Sequence, residues 1–160
     1  MKLRVKIKRV KDVDLPKYAK PGDSGFDLVA AEGTIIEPGQ TKVIPTGLAF
    51  EIPPGFELQV RPRSGISRKT FLRVVLGTVD SGFRGEVGVI VSNISYPGNS
   101  ITLGINDEHE IFKSVTYVVK KGDRIAQGVI APVETANFVE VDELSRSDRG
   151  TGGFGSTGVK

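Results

Sequence analysis

What most constrains this chain is the regular recurrence of glycine and proline breaks. Pro21-Gly22, Pro38-Gly39, Pro53-Pro54-Gly55, Pro97-Gly98 and Lys121-Gly122-Asp123 interrupt the sequence before a long helix could form. Between the breaks apolar residues recur at every second position, as in Leu3, Val5 and Ile7 alternating with Arg4, Lys6 and Lys8. That period of two belongs to a strand with one buried face. The same reading gives strands over Thr41–Phe50, Phe56–Val60, Phe71–Val79, Val87–Ser92, Ile111–Lys120 and Arg124–Val133, with the chain opening as a strand. A helical stripe is absent from every window of a dozen residues, and only one turn after Ser64 reads as helix. Many short strands with turn signals predict an all-β sandwich, jelly roll or barrel. The polar stretch Tyr96–Glu110 reads as an extended loop or a hairpin tip.

The 160 residues suffice for one core, predicted over residues 1–144. From Ser145 the composition turns polar and glycine-rich, and residues 145–160 are predicted to form a flexible tail that needs a ligand to become ordered. With no cysteine, neither disulfides nor thiolate chemistry is available, and the single histidine, His109, excludes a multi-histidine metal site. A formal charge of +3, with basic residues scattered except at Arg61, Arg63, Arg68 and Lys69, favours a small anionic ligand over a nucleic-acid groove. No signal-like or membrane-spanning apolar run is present in the sequence, so the expected setting is cytoplasmic, with no membrane partner.

Five segments could carry chemistry. Arg61-Pro62-Arg63-Ser64-Gly65-Ile66-Ser67-Arg68 combines guanidinium forks, hydroxyls and a glycine beyond a strand, a set that suits phosphate oxygens or a solvated basic turn. Gly77 to Glu86 reads as a β-hairpin turning at Ser81-Gly82, with Asp80 as a proton acceptor or a turn former and Phe83 as a pocket wall or a core residue. Arg149 to Gly158 offers a cation, exposed amides, hydroxyls and an aromatic, or a plain linker. Gly150 to Gly155 spells G-x-G-x-x-G, but no helix can follow so near the end, which removes the dinucleotide reading. Asp23 and Asp27 flank Ser24-Gly25-Phe26, a spacing that suits a hydrated metal or an ordinary turn. Lys121 to Gln127 enters a strand with charges that could simply pair with each other.

Taken in order, Pro21-Gly22-Asp23-Ser24-Gly25-Phe26-Asp27-Leu28, Arg63-Ser64-Gly65, Gly77-Thr78-Val79-Asp80-Ser81-Gly82-Phe83-Arg84-Gly85, Gly122-Asp123-Arg124-Ile125-Ala126-Gln127 and Arg149 to Gly158 resemble the five motifs of the trimeric dUTP pyrophosphatases. The resemblance spans nearly the whole chain. It implies a jelly-roll-like distorted β barrel, a homotrimer whose active sites draw on all three chains, and Mg2+-assisted hydrolysis of dUTP to dUMP and pyrophosphate. Such an activity limits uracil incorporation into DNA and supplies dUMP.

Carried over by motif, Asp80 is the general base, Gln127 positions the water or a phosphate oxygen, and Asp27 reaches the metal through water. Arg63, Ser64 and Gly65 would hold phosphates, and Gly77, Thr78 and Val79 would read the base through their backbone. Arg149, Gly155, Ser156 and Thr157 would close over the far phosphates while Phe154 stacks on the uracil. The chain departs from the family pattern at Phe83, where tyrosine is usual, and at Gly82, commonly acidic. Val74 lies near a position that is a uracil-contacting asparagine in some members, and the Tyr96–Glu110 segment is longer than in many relatives. Alternatives are a dCTP deaminase, a bifunctional deaminase and pyrophosphatase, or a nucleotide-binding barrel without turnover.

Overall fold

In the computed structural model, which describes residues 3–98, 101–105 and 114–152, eleven strands and one short helix are defined. They are β1 (Lys6–Arg9), β2 (Phe26–Val29), β3 (Thr34–Ile36), β4 (Thr41–Glu51), β5 (Phe56–Arg61), α1 (Ser64–Lys69), β6 (Leu72–Val74), β7 (Gly77–Val79), β8 (Glu86–Asn93), β9 (Ile101–Gly104), β10 (Val115–Val119) and β11 (Arg124–Pro132). They form three sheets, ordered β1-β4-β8-β6, β3-β10-β9 and β2-β11-β5-β7. Every pairing is antiparallel except β9 with β10. The all-β expectation holds, and the one helical turn lies where Ser64 begins it.

Alternation in the sequence becomes alternation in burial. β8 places Val87, Val89 and Val91 inside and leaves Ile90 out, and β5 buries Leu58 and Val60. These side chains join Leu28, Ile36, Ile44, Leu48, Leu72 and Val115 in one core, where each fully buried aliphatic side chain contributes roughly 1.5–3 kcal/mol. Polar groups that enter the core are paired. Asn93 donates from Nδ2 to the carbonyls of Ile36 and Val115 at 3.0 and 2.7 Å, joining two sheets, and its Oδ1 accepts from Ser95. Tyr117 accepts from the Phe71 amide at 3.0 Å, and burial pushes its phenol pKa up. In β4 the register shifts between Pro45 and Ala49, where Pro45 has no N–H to give and Gly47 adopts φ +71°. A Cβ on Gly47 would also meet Val13 at 3.0 Å.

Several local expectations are corrected. The opening strand covers only Lys6–Arg9, and β2 and β3 were not foreseen. Phe71–Val79 is two strands in different sheets, joined through exposed Val75 and Leu76. Likewise Gly77–Glu86 is no hairpin: β7 pairs with β5 while β8 pairs with β4 and β6, so the Asp80 turn links two sheets. The Tyr96–Glu110 stretch contains β9, held by parallel pairing to β10. No helix among the described residues is long and apolar enough to cross a membrane.

Candidate active site

Three strands bring the first group of predicted residues together. β11 lies between β2 and β5, and Gln127 sits opposite Asp27 on one side and Arg61 on the other. Beyond β5 the chain turns through Pro62 into α1, and Arg63 precedes the helix with an extended backbone. Arg63 Nε meets Asp27 Oδ1 at 2.9 Å, and Arg63 NH1 donates to the Arg124 carbonyl at 3.2 Å. Arg124 NH1 approaches the other Asp27 oxygen at 3.5 Å. Gln127 Nε2 donates to the Pro62 carbonyl at 2.9 Å, which leaves its Oε1 directed past Gly25. The resulting cavity of about 370 Å³ is lined by Asp23, Ser24, Gly25, Asp27, Arg63, Ser64, Gly65, Arg124 and Gln127. Guanidiniums, hydroxyl and amide in one concavity suit phosphate oxygens. Arg61 is not among the lining residues; it is engaged with Gln59, its Nε donating to Oε1 at 2.8 Å.

A second cavity, about 210 Å³, is lined by Thr78, Val79, Asp80, Phe83, Glu86, Val87 and Gly88. The Phe83 amide donates to the Asp80 carbonyl at 3.0 Å and closes the turn. Arg84 braces it by donating to the carbonyls of Ser81 and Phe83 at 2.6 and 2.9 Å. The far end is tied down by Glu86, whose Oε1 accepts from the Gly47 amide at 2.7 Å and pairs with Lys11 at 3.4 Å. Lys11 also bonds Glu32 at 2.7 Å, and that hydrogen bond leads the raising of its pKa. The Asp80 carboxylate is exposed, with no partner among the described residues. Phe83 is 45% exposed, and its ring lies over Gly85, so it is a surface wall and not core. β7 is the outer strand of its sheet, so its far edge presents backbone groups that no strand takes.

The two groups do not meet within one chain. Val79 lies opposite Leu58 and Gln127 opposite Arg61. That is three residues along β5, roughly 10 Å, and two strand spacings across, roughly 9 Å. Asp80 continues away from Gln127, whereas a base and its water must lie roughly 3 Å apart. Arg149 folds back on Gly152, its Nε donating to that carbonyl at 2.9 Å, and lines neither cavity. Phe154, Gly155, Ser156 and Thr157 lie outside the described residues. Val74 is buried in the core cluster. A further cavity, about 550 Å³, is an apolar groove lined by residues such as Leu3, Val5, Leu15 and Phe50, and contains none of the predicted site residues.

A sequence profile of the dUTPase family matches residues 11–105 and 111–158. The chain belongs to the dUTPase family. It is 46% identical over 159 residues to the deoxyuridine 5'-triphosphate nucleotidohydrolase of Nautilia profundicola, a match covering 98% of this chain and 99% of that one. Among solved structures it is similar to a mutant dUTPase of Staphylococcus bacteriophage 80alpha with dUpNHpp, at 32% identity and TM-score 0.89, covering 98% and 99% of the two chains. A mutant dUTPase of Staphylococcus aureus phage phi11, described with a structural Mg(II) ion, matches at 28% identity and TM-score 0.81 over 90% of this chain and 100% of that one.

Sequence reasoning missed how two residues lining the first cavity are placed. Arg124 shares Asp27 with Arg63, and Gly25 is packed so tightly that an added Cβ would stand 2.6 Å from Gln127 Oε1. Both residues lie inside quoted motifs, so the signal was present without a role attached.

Proposed function

We propose that the protein hydrolyses dUTP to dUMP and pyrophosphate, in sites that copies of the chain complete for one another in a homotrimer. The observation that carries this reading is the strand register. It leaves the carboxylate of Asp80 and the amide of Gln127 far apart in one chain, although the same reaction needs both. Large apolar side chains beyond β11 support a multi-chain assembly: Phe138 is 93% and Leu144 88% exposed, and burial against another copy would remove that cost.

In this mechanism Arg63, Ser64 and Gly65 bind the phosphates, and Gln127 orients the water or an oxygen of the α-phosphate. Asp80 of a neighbouring copy takes the proton of the attacking water, and pyrophosphate leaves in line. The outer edge of Gly77–Val79 reads the base. Uracil offers a carbonyl at position 4 and a donor at N3, where cytosine reverses both, and the mismatch leaves buried polar groups unpaired. Phe83 forms a wall against a 2′-hydroxyl.

Magnesium fits the donor set as an ion carried by the phosphates. The described residues hold no cluster of three or more histidine or carboxylate ligands, and this ion keeps waters and takes substrate oxygens readily. Asp27 would hold it through water, and when bound it neutralises charge on the leaving pyrophosphate. Residues 145–160 act as a tail beyond the 1–144 barrel, with Arg149, Phe154, Gly155, Ser156 and Thr157 closing over base and phosphates. Described residues 133–151 are almost wholly exposed, which supports a segment free to reach a neighbour. The setting is cytoplasmic, and the role is to keep uracil out of DNA.

Purified protein given dUTP, dCTP, dTTP and UTP, with pyrophosphate and ammonia followed, tests the reading. Pyrophosphate from dUTP alone is expected. Ammonia from dCTP would transfer the assignment to a deaminase, and binding without product would leave a nucleotide sensor.

A further inference from the structure

On an uninterrupted strand, residues three apart point to opposite faces. Arg124 and Gln127 are three apart on β11, yet both line the same cavity. The cause is a register shift between Arg124 and Ala126: Arg124 pairs with Val29, Ala126 with Leu28, and Ile125 is the extra residue. Ile125 and Ala126 are then buried in succession at 2% and 0% exposure, and Arg124 turns toward Asp27. A bulge disrupts the ladder and commonly re-aims a side chain beside an active site.

Charge gives that re-aimed side chain a purpose. The titratable lining of the cavity is Asp23, Asp27, Arg63 and Arg124, two carboxylates against two guanidiniums. Asp23 is turned to its own loop, accepting from the Lys20 amide at 2.8 Å, and Asp27 takes Arg63 at 2.9 Å. Without Arg124 the lining would carry one net negative charge, a poor receptor for a polyphosphate. Arg124 is held at only 3.5 Å, and its side chain is 61% exposed, so most of its donors remain open to the cavity mouth.

We propose that Arg124 is a phosphate-binding residue of this site. It waits on Asp27 in the free protein and delivers a second guanidinium to the polyphosphate chain of the substrate. The assignment rests on the proposed reading of this cavity as the phosphate side. Arg63 supplies one fork, Arg124 the other, and Asp27 is the shared counter-ion that both partly release when phosphate oxygens arrive. Bonds to charged groups contribute enough for one lost fork to weaken binding about tenfold.

Calorimetric titration of the intact protein with inorganic tripolyphosphate, and separately with deoxyuridine, tests it in the wild type and in R63Q, R124Q, R124K and D27N. R124Q is expected to bind tripolyphosphate about tenfold more weakly and deoxyuridine unchanged, R124K to recover part of the loss, and D27N to bind metal-free tripolyphosphate severalfold more tightly. Unchanged tripolyphosphate binding in R124Q, with R63Q impaired, overturns the role of Arg124 alone. If R63Q also binds as the wild type does, the phosphate reading of the cavity itself has failed. Equal loss of both ligands in R124Q and R124K overturns the proposal in favour of a structural role.

Discussion

The Arg63 cavity and the Asp80 turn are built on opposite principles. The first is cross-linked from within: Asp27 holds two arginines, Gln127 is bonded to the Pro62 carbonyl, and three hydrogen-bonded strands fix their spacing. The second is open. Its carboxylate is exposed, its aromatic is half exposed, and its strand offers a bare backbone edge. A site that stabilises developing charge gains from donors fixed in advance, whereas a reader of base and sugar needs an edge that the ligand can complete. If copies of the chain complete one another's sites as proposed, each region is half of a site and its missing half stands on a second chain.

The largest expected effect comes from Asp80→Asn, which exchanges base for amide at nearly constant volume. Turnover of dUTP should fall by at least about 10²-fold while binding of a non-hydrolysable analogue persists. Near wild-type turnover would remove Asp80 from its role. Complementation then probes whether the halves belong to different copies. Mixing this variant with Arg63→Gln chains, through unfolding and refolding together, should regenerate activity that neither shows alone. A fully active monomer in sedimentation would break the comparison at its root.

Tail deletion asks whether either half suffices once assembled. Removing Arg149–Lys160 should leave the melting temperature and the oligomeric state in place and lower hydrolysis by roughly 10-fold or more, because closure excludes water and fixes the phosphates. Phe154→Ala should be intermediate. Amide exchange gives an independent reading: the tail should gain protection when the analogue and magnesium are added. Equal protection in both states would make it a structural arm.

Strand periodicity in the sequence was enough for the all-β class, because Val87, Val89 and Val91 alternate as burial requires. Motif order was enough for the family. Neither revealed that Gly77–Glu86 crosses between sheets, since two short strands joined by a Ser-Gly turn look the same whether they pair with each other or with distant partners. Strands as short as Thr34–Ile36 and Ile101–Gly104 were missed for a related reason: three or four residues are too few to display a period, and their order comes from pairing with β10. The bulge at Ile125 was equally hidden. Ile125-Ala126 reads as two ordinary strand residues, and only the shift against β2 shows Arg124 and Gln127 sharing a cavity.

The smallest expected effects compare the same substitution in the two regions. A Cβ at Gly25 would stand 2.6 Å from Gln127 Oε1 and 3.3 Å from Cδ, closer than atoms tolerate, but the obstructing atoms are the end of a flexible side chain. Gly25→Ala should therefore leave the barrel folded and displace the Gln127 amide, lowering turnover by roughly 3- to 10-fold, since a misplaced positioning group costs rate before stability. At Gly82 a Cβ would meet nothing within 4 Å, and the backbone is not in the left-handed region. Gly82→Ala should fall within about twofold of the wild type in both kcat and KM, because the Asp80 turn works through an open surface and an exposed edge. Steady-state kinetics on both variants, beside thermal unfolding, separates the cases. A large loss at Gly82 with none at Gly25 would invert the contrast, making the turn the crowded region and the arginine cavity the tolerant one.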